Sequence, residues 1–154
     1  MQPTTSPILI DANIPVYAAG REHDLKGPAS AVLELAARRP DAFITDAVVL
    51  QELLHRYLSL KVWGRFRDRF ASFASLMAGR VEPMYALDAE RAADLADSYP
   101  RLSARDLIHA AIMFRVGSSR IVTADGGFDR IDGIERLDPR LVDEWAASVT
   151  EYHR

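Results

Sequence analysis

The chain has 154 residues, of which 49% are hydrophobic and 27% charged, a composition typical of one globular domain with a sizeable core. It contains no cysteine, which excludes disulfide scaffolds, thiolate nucleophiles and cysteine-ligated metal sites. The net charge of −3 does not by itself indicate a nucleic-acid binder, and the apolar runs are far shorter than a membrane span. The first residues lack the basic and apolar segments of a signal peptide, so we expect a cytoplasmic protein with a single domain over residues 1–154.

Short apolar runs alternate with amphipathic segments along the chain. The runs are nearly continuous, as in parallel strands buried on both faces, and they predict strands at Pro7–Ile10, Ala42–Thr45, Val81–Tyr85, Arg120–Thr123 and Ile134–Leu137. Apolar residues at helical spacing predict helices at Pro28–Arg38, Ala47–Leu60, Trp63–Ala78, Ala89–Ser98, Ala104–Val116 and Leu141–Val149. This alternation indicates an α/β fold around a parallel sheet. We expect loosely held chain at Met1–Ser6, Gly20–Lys26 and Thr150–Arg154.

Four acidic residues fall at related positions in this pattern. Asp11 and Asp125 directly follow predicted strands. Glu52 lies in the first half of a helix that follows a strand, and Asp106 lies in the first turn of the helix opened by Ser103. Ligands of open α/β sheets bind beyond the carboxyl ends of the strands, so these four carboxylates can meet in one crevice.

Each acid also has an ordinary structural interpretation. Asp11 and Asp125 can cap the turns that follow them, Asp106 can form a capping box with Ser103, and Glu52 can be an exposed helix residue. The functional hypothesis rests on the joint pattern. Two carboxylates ~4 Å apart repel by about 4 kcal/mol at an effective dielectric constant near 20, so a cluster of four must bind protons or surround a cation. Mg²⁺ and Mn²⁺ prefer oxygen ligands, and the chemistry that such a site suggests is metal-assisted phosphodiester hydrolysis.

Four segments carry these acids: Ile8–Asn13 (ILIDAN), Leu50–Leu53 (LQEL), Ala104–Ala111 (ARDLIHAA) and Ile121–Phe128 (IVTADGGF). In order and spacing they resemble the motifs of PIN-domain ribonucleases. The length and the motif arrangement are most similar to those of VapC, the toxin half of a bacterial toxin–antitoxin pair. The resemblance covers roughly residues 7–145. None of the motifs is specific alone, whereas four in this order are fairly specific.

The resemblance implies a three-layer α/β/α sandwich with a central parallel sheet of about five strands, and RNA cleavage that depends on Mg²⁺ or Mn²⁺. It implies an acidic quartet formed by Asp11, Glu52, Asp106 and Asp125. The metal ligands would be Asp11, Asp106 and Asp125, with Glu52 and Asp129 as further candidates. Asn13 and Thr123 match the small polar residues that support the site. The implied partners are an RNA substrate, a small antitoxin that blocks the crevice, and a second copy of the chain in a homodimer.

The last motif departs from the family pattern. The family often has Asp-x-Asp-Phe there, whereas this chain has Gly127 in place of the second acid, and Asp129 is the candidate replacement. The second metal position is therefore open. An alternative function is also open: a PIN scaffold that binds RNA or a protein partner without cleaving RNA. A phosphatase of the haloacid-dehalogenase type also places Asp after the first strand, but it needs an acid where this chain has Asn13.

Two further features have two interpretations each. His109 follows Asp106 by three residues and can handle protons in the crevice, although a packed, hydrogen-bonded helix residue is the commoner case. A basic stretch lies beside the aromatic stripe of Phe66 and Phe70. It contains Lys61, Arg65, Arg67 and Arg69. This stretch can contact phosphate or form a solvated helix face.

Overall fold

The structure is a computed structural model that describes residues 6–150. The predictions for Met1–Ser6 and Thr150–Arg154 lie almost wholly outside the described residues. The central element is a five-stranded sheet in the order β3-β2-β1-β4-β5, in which every neighbouring pair is parallel. The strands are β1 (Ile8–Ile10), β2 (Phe43–Asp46), β3 (Val81–Glu82), β4 (Arg120–Val122) and β5 (Glu135–Leu137). The predicted α/β fold with a parallel sheet of about five strands is confirmed.

Within residues 6–150, seven α-helices surround the sheet. They are α1 (Asn13–Ala19), α2 (Lys26–Arg38), α3 (Ala47–Ser59), α4 (Trp63–Leu76), α5 (Ala86–Ser98), α6 (Ala104–Val116) and α7 (Val142–Thr150). Short 3-10 helices cover Pro40–Ala42, Gly126–Arg130 and Pro139–Leu141. Six of the α-helices match predicted ones within a few residues, and the sequence analysis missed α1. Pro15 obscured α1 in the sequence, yet it is the third residue of this helix, where the backbone needs no amide donor.

The core lies on both faces of the sheet, which explains why the strands are apolar without alternation. In β1, Ile8 and Ile10 pack on the face covered by α1 to α4 and α7, whereas Leu9 packs on the opposite face, under α5 and α6. All three side chains are fully buried. This alternation is the period of two expected of a strand, with helices on either side. The arrangement is the predicted three-layer sandwich.

A buried ion pair joins the two outer helices α5 and α6. Arg115 Nε donates to Asp88 Oδ1 at 2.9 Å, and the Asp88 side chain is fully buried. The Arg115 guanidinium also lies 4.6 Å from the centre of the Tyr85 ring. Asp88 caps the start of α5 by accepting from the Tyr85 amide at 2.8 Å. This cap begins α5 three residues earlier than the sequence predicted.

The topology places a binding position at the end of β1. This strand pairs with β2 on one side and with β4 on the other, with Leu9 opposite Ile44 and Ile121. The chain order reverses there, and ligands of open α/β sheets bind at such a switch point. In the part of the chain that the structure describes, no helix is long and apolar enough to cross a membrane.

Candidate active site

A crevice of about 530 Å³ opens at the carboxyl edge of the sheet, beyond the end of β1. Each predicted acid reaches it from a different element: the end of β1, helix α3, the first turn of α6 and the loop after β4. The crevice is lined by all four of them, Asp11, Glu52, Asp106 and Asp125. The structure therefore brings together four carboxylates that are far apart in the sequence.

Asp11 occupies the floor of this crevice and is only 6% exposed. Its backbone amide continues the sheet by donating to Val122 O at 3.2 Å. Its carboxylate accepts from the Ala12 amide at 2.8 Å and from Thr123 Oγ1 at 2.7 Å. Burial raises the pKa of Asp11 above its ordinary value, and the negative charge of Glu52 adds to this, against the opposing effect of the nearby His109. A cation bound to the Asp11 carboxylate would offset the free-energy cost of burying its negative charge.

Asn13 and Thr123 hold the two strand ends together behind Asp11. Thr123 Oγ1 donates to Asp11 and accepts from Asn13 Nδ2 at 2.8 Å and from the Asp125 amide at 3.0 Å. Asn13 Oδ1 in turn accepts from the Ala124 amide at 3.2 Å. One hydroxyl thus links the ends of β1 and β4, and the supporting role of both residues stays a prediction.

His109 lies at the centre of the acidic cluster and is 1% exposed. Its Nδ1 is 2.5 Å from Asp46 Oδ2, and its Nε2 is 2.8 Å from Glu52 Oε1. The same Nε2 lies 3.7 Å from Asp11 Oδ1. Burial lowers the pKa of His109, but the hydrogen bonds to the two carboxylates outweigh it and hold the pKa well above 6.5. Carboxylate oxygens only accept hydrogen bonds, so the doubly protonated imidazolium is the form of His109 that satisfies both contacts.

Glu52 is held between two cations. His109 contacts Oε1, and Arg105 Nη1 lies 3.6 Å from Oε2. The Glu52 side chain is 14% exposed, whereas that of Arg105 is 57% exposed. The Arg105 contact is consequently weak and solvent-screened, while the His109 contact is short and buried. Glu52 is not the exposed helix residue of the ordinary interpretation.

Asp106 and Asp125 combine a capping role with a place in the crevice. The Asp106 amide donates to Ser103 Oγ at 3.2 Å, and Asp125 Oδ1 accepts from the Gly127 amide at 2.9 Å. Burial raises the pKa of Asp106, and the negative charges of Asp125 and Asp11 add to the shift. Ser103 caps α6, Asp125 caps the turn that follows it, and both acids line the crevice, so the structural interpretation does not exclude a functional role for either residue.

The comparisons with known proteins agree with this geometry. A sequence model of the PIN domain family matches residues 8–134. The chain belongs to the PIN-domain family. It is similar to Ribonuclease VapC13 of Mycobacterium tuberculosis, at 38% identity over 130 residues that cover 84% of this chain and 98% of the relative.

Solved structures of low sequence identity share the fold. VapBC2 from Rickettsia felis, bound to a DNA fragment from its promoter, matches with a TM-score of 0.66 and 21% identity over 85% of this chain and 98% of that chain. FitAcB from Neisseria gonorrhoeae matches with a TM-score of 0.66 and 22% identity over 86% of this chain and 97% of that chain. These likenesses establish the PIN fold of the chain.

The PIN crevice fits a hard divalent cation held by oxygen. Asp11, Glu52 and His109 each offer one atom within 4.8 Å of the others. His109 is a poor ligand, however, because a metal needs an unprotonated imidazole nitrogen and both nitrogens here donate to carboxylates. The carboxylates of Asp11 and Glu52 remain in this group, and those of Asp106 and Asp125 line the same crevice without belonging to it. Carboxylate oxygens are the donors that Mg²⁺ and Mn²⁺ prefer.

Asp129, the further metal candidate in this PIN chain, points to a different partner. Its Oδ1 accepts from Arg136 Nε at 3.0 Å, and the crevice lining does not include it. Position 127, where the family pattern often has its second acid, has little room for a side chain. A Cβ there would lie 3.2 Å from Asp125 Oδ1 and 3.3 Å from Leu102 Cδ2. The carboxylate that the family pattern often has at position 127 therefore has no evident substitute at Asp129.

The sequence pattern did not single out Asp46, and it gave no partners for His109, which is the packed, hydrogen-bonded histidine of the commoner interpretation. Asp46 is fully buried, ends β2, and caps α3 by accepting from the Val49 amide at 2.9 Å. It follows the apolar run FIT in the same way that Asp11 follows ILI, so the strand-end rule that selected Asp11 could also have found it. No comparable signal distinguished His109 from an ordinary packed histidine, because its role depends on contacts with residues 57 and 63 positions away.

Proposed function

We propose that this protein is a metal-dependent endoribonuclease that acts as the toxin of a toxin–antitoxin pair. The observation that carries the proposal is the convergence of Asp11, Glu52, Asp106 and Asp125 in one crevice of a PIN fold. The 38% identity to VapC13, a ribonuclease by name, supports RNA as the substrate and hydrolysis as the reaction. The whole of residues 1–154 would form a single nuclease domain.

The acidic residues have distinct roles in the proposed reaction. Asp11, Asp106 and Asp125 would hold Mg²⁺ or Mn²⁺, which when bound supplies the charge that polarises a phosphoryl oxygen and lowers the pKa of a coordinated water. Glu52 orients the attacking water or accepts its proton. The water oxygen attacks the phosphorus in line with the departing ribose oxygen; the bond between phosphorus and that oxygen breaks, and the ribose oxygen takes a proton from solvent as it leaves.

Other residues fix the positions of these carboxylates. Thr123 and Asn13 hold Asp11 through the linked hydrogen bonds behind it. His109 holds Glu52 through Oε1, so Oε2 is the oxygen available for the reaction. The neighbour of Oε2 is the exposed Arg105, which contacts it only weakly. Arg105 is exposed enough to leave Glu52 and contact a phosphate oxygen of the RNA. In this scheme His109 is a positioning residue.

The proposed partners follow from the relatives. The structural neighbours include toxin–antitoxin complexes, and we propose that this chain likewise binds a small antitoxin protein. A guanidinium group of that partner can enter the acidic crevice and pair with carboxylates in place of a metal ion. A homodimer and a cytoplasmic location are further parts of the proposal. Co-purification with the product of a short neighbouring reading frame tests the antitoxin, and light scattering after gel filtration tests the dimer.

Cleavage of RNA by the purified protein tests the proposed function. We expect cleavage of single-stranded RNA with Mg²⁺ or Mn²⁺, loss of cleavage with EDTA, and loss of cleavage in Asp11→Asn. The matched control is Asp97→Asn, which removes the same charge from an exposed position on α5. Cleavage that persists in Asp11→Asn would remove the mechanism. Calorimetric titration with Mn²⁺ then separates enzyme from scaffold, because the scaffold alternative predicts no metal binding and no cleavage in the wild type.

A further inference from the structure

A second hollow of about 460 Å³ lies between the end of α1, the start of α2 and helix α4. Its charged lining consists of Arg21, Lys26, Arg65, Arg69 and the acid Glu22. Lys26 Nζ is 3.6 Å from Glu22 Oε1, but the Glu22 side chain is 96% exposed, so this pair neutralises little of the charge. Four cations therefore share one hollow, hereafter the basic pocket, in a chain whose net charge is −3.

The wall of the basic pocket is tied to the wall of the acidic crevice. Phe66 lines the basic pocket and stacks on Tyr57 with ring centres 4.8 Å apart and planes at 8°. Tyr57 follows the crevice residue Arg56 on α3, and its ring packs on the pocket residue Phe66. The buried Tyr57 therefore joins the walls of the two hollows.

Helix α1 connects the two hollows along the surface. The crevice lining includes Asn13, Val16 and Tyr17 of this helix. The lining of the basic pocket includes its last residue, Ala19, and the following Gly20. From Asn13 to Gly20 the helical rise amounts to about 10 Å. At the edge of the crevice, whose lining includes Tyr17, the Tyr17 ring lies 4.9 Å from the exposed His23 ring. His23 Nδ1 accepts from the Leu25 amide at 3.0 Å, which fixes the orientation of that ring.

We propose that single-stranded RNA leaves the acidic crevice along α1, places a base against the Tyr17–His23 pair, and binds its neighbouring phosphates in the basic pocket. This inference rests on the proposed function. An aromatic platform beside a row of cations is the combination by which proteins hold single strands without reading their sequence. Continuity with the crevice favours RNA over an acidic protein segment, since the path begins where the proposed cleavage of RNA takes place, and the phosphates that follow the cleaved bond must lie within reach of the crevice.

RNA binding in EDTA tests the basic pocket without cleavage. The probe is a fluorescein-labelled single-stranded oligoribonucleotide, and anisotropy is measured over a range of salt concentrations. Each lost phosphate contact lowers the slope of log affinity against log salt by about 0.7 on a single strand, so Arg65→Gln/Arg69→Gln is expected to lower it by about 1.4. The matched control is Arg67→Gln/Arg91→Gln, an equal charge change at exposed positions outside the pocket. Arg21→Gln/Lys26→Gln provides a second pair on the opposite wall.

The length of the substrate gives a second, independent readout. A dinucleotide spans the crevice alone, whereas a longer RNA also reaches the basic pocket. Arg65→Gln/Arg69→Gln should therefore raise KM for the longer RNA only and leave kcat unchanged for both. Tyr17→Leu should weaken binding of the longer RNA roughly tenfold, and Tyr17→Phe should retain it, because the ring face and not the hydroxyl carries the stacking.

The two proposals fail in different ways. A wild-type protein that neither binds nor cleaves RNA would overturn the proposed function. A wild-type protein that cleaves RNA, with salt slope and KM unchanged in both pocket variants, would overturn only the path and assign the basic pocket to an acidic protein segment. An equal loss in the control pair would also overturn the path, since it would attribute the effect to total charge.

Discussion

Replacement of His109 by Gln in metal-free buffer tests the central electrostatic feature of the site. The imidazolium lies against Asp46, Glu52 and Asp11 at 2.5, 2.8 and 3.7 Å. Gln has a similar length and keeps one amide donor, but it carries no charge. The variant leaves Asp46 fully buried as an uncompensated carboxylate.

The size of the effect follows from the burial of the pair. Breaking a buried ion pair from one side typically costs about 3–5 kcal/mol, because the remaining charge is left desolvated. His109 and Asp46 are 1% and 0% exposed, so little solvent screening reduces this figure. For a chain of 154 residues such a loss lowers the melting temperature by roughly 10 °C. Divalent metal should return part of the lost stability, because it adds positive charge beside the same carboxylates.

Urea unfolding in EDTA at several pH values measures the effect. The folded-state pKa of His109 is raised, so its contribution is fully present below its ordinary pKa of about 6.5. The contribution is lost as the pH rises through the raised folded pKa, and the difference between wild type and His109→Gln should shrink there. His55→Gln, an exposed histidine on α3, is the control. Equal and pH-independent losses in both variants would refute a charged His109.

Three further predictions concern the crevice and the α5–α6 pair. Arg105→Gln should tighten Mn²⁺ binding in calorimetry, because it removes an exposed cation that competes for the carboxylates. Mn²⁺ affinity of the wild type should fall as the pH drops through the raised pKa of Asp11, since the folded protein then holds a proton that the metal must displace; an affinity independent of pH would contradict this. Arg115→Met should cost about 2–3 kcal/mol in urea unfolding, less than a fully buried pair, because the Arg115 side chain is 20% exposed while Asp88 is not.

The fold was predictable because its core follows local rules. Strands such as β1 and β4 are buried on both faces and appear in the sequence as apolar runs, and helices such as α6 have clear N-cap and glycine C-cap signals. Apart from the start of α5, which the Asp88 cap sets, the main errors occurred at prolines. Pro83 ends β3 earlier than its apolar run suggests, because proline cannot donate to the sheet. Conversely, Pro15 and Pro28 lie in first turns, where helices accept them.

The acids of the site were predictable for a related reason, since the end of a strand is a position that the sequence defines. The contacts between them were not. That His109 faces Asp46 and Glu52 depends on how α6 packs against β2 and α3, and helical spacing gives no register between separate elements. The same limit applied to Asp129, whose partner Arg136 lies on the neighbouring strand β5.

The two cations that contact Glu52, His109 and Arg105, differ in a way that explains how so acidic a site can fold and still accept a ligand. Five carboxylates, including Asp46, lie in or behind the crevice, and their mutual repulsion must be offset before any ligand arrives. His109 is buried and fixed at both nitrogens, so displacing it would leave Asp46 without its partner. Arg105 reaches Glu52 from solvent, and its departure exposes no buried charge, because the guanidinium hydrates again. Stability and ligand exchange thus depend on different cations, and a metal ion or a partner's guanidinium competes with Arg105 while His109 stays in place.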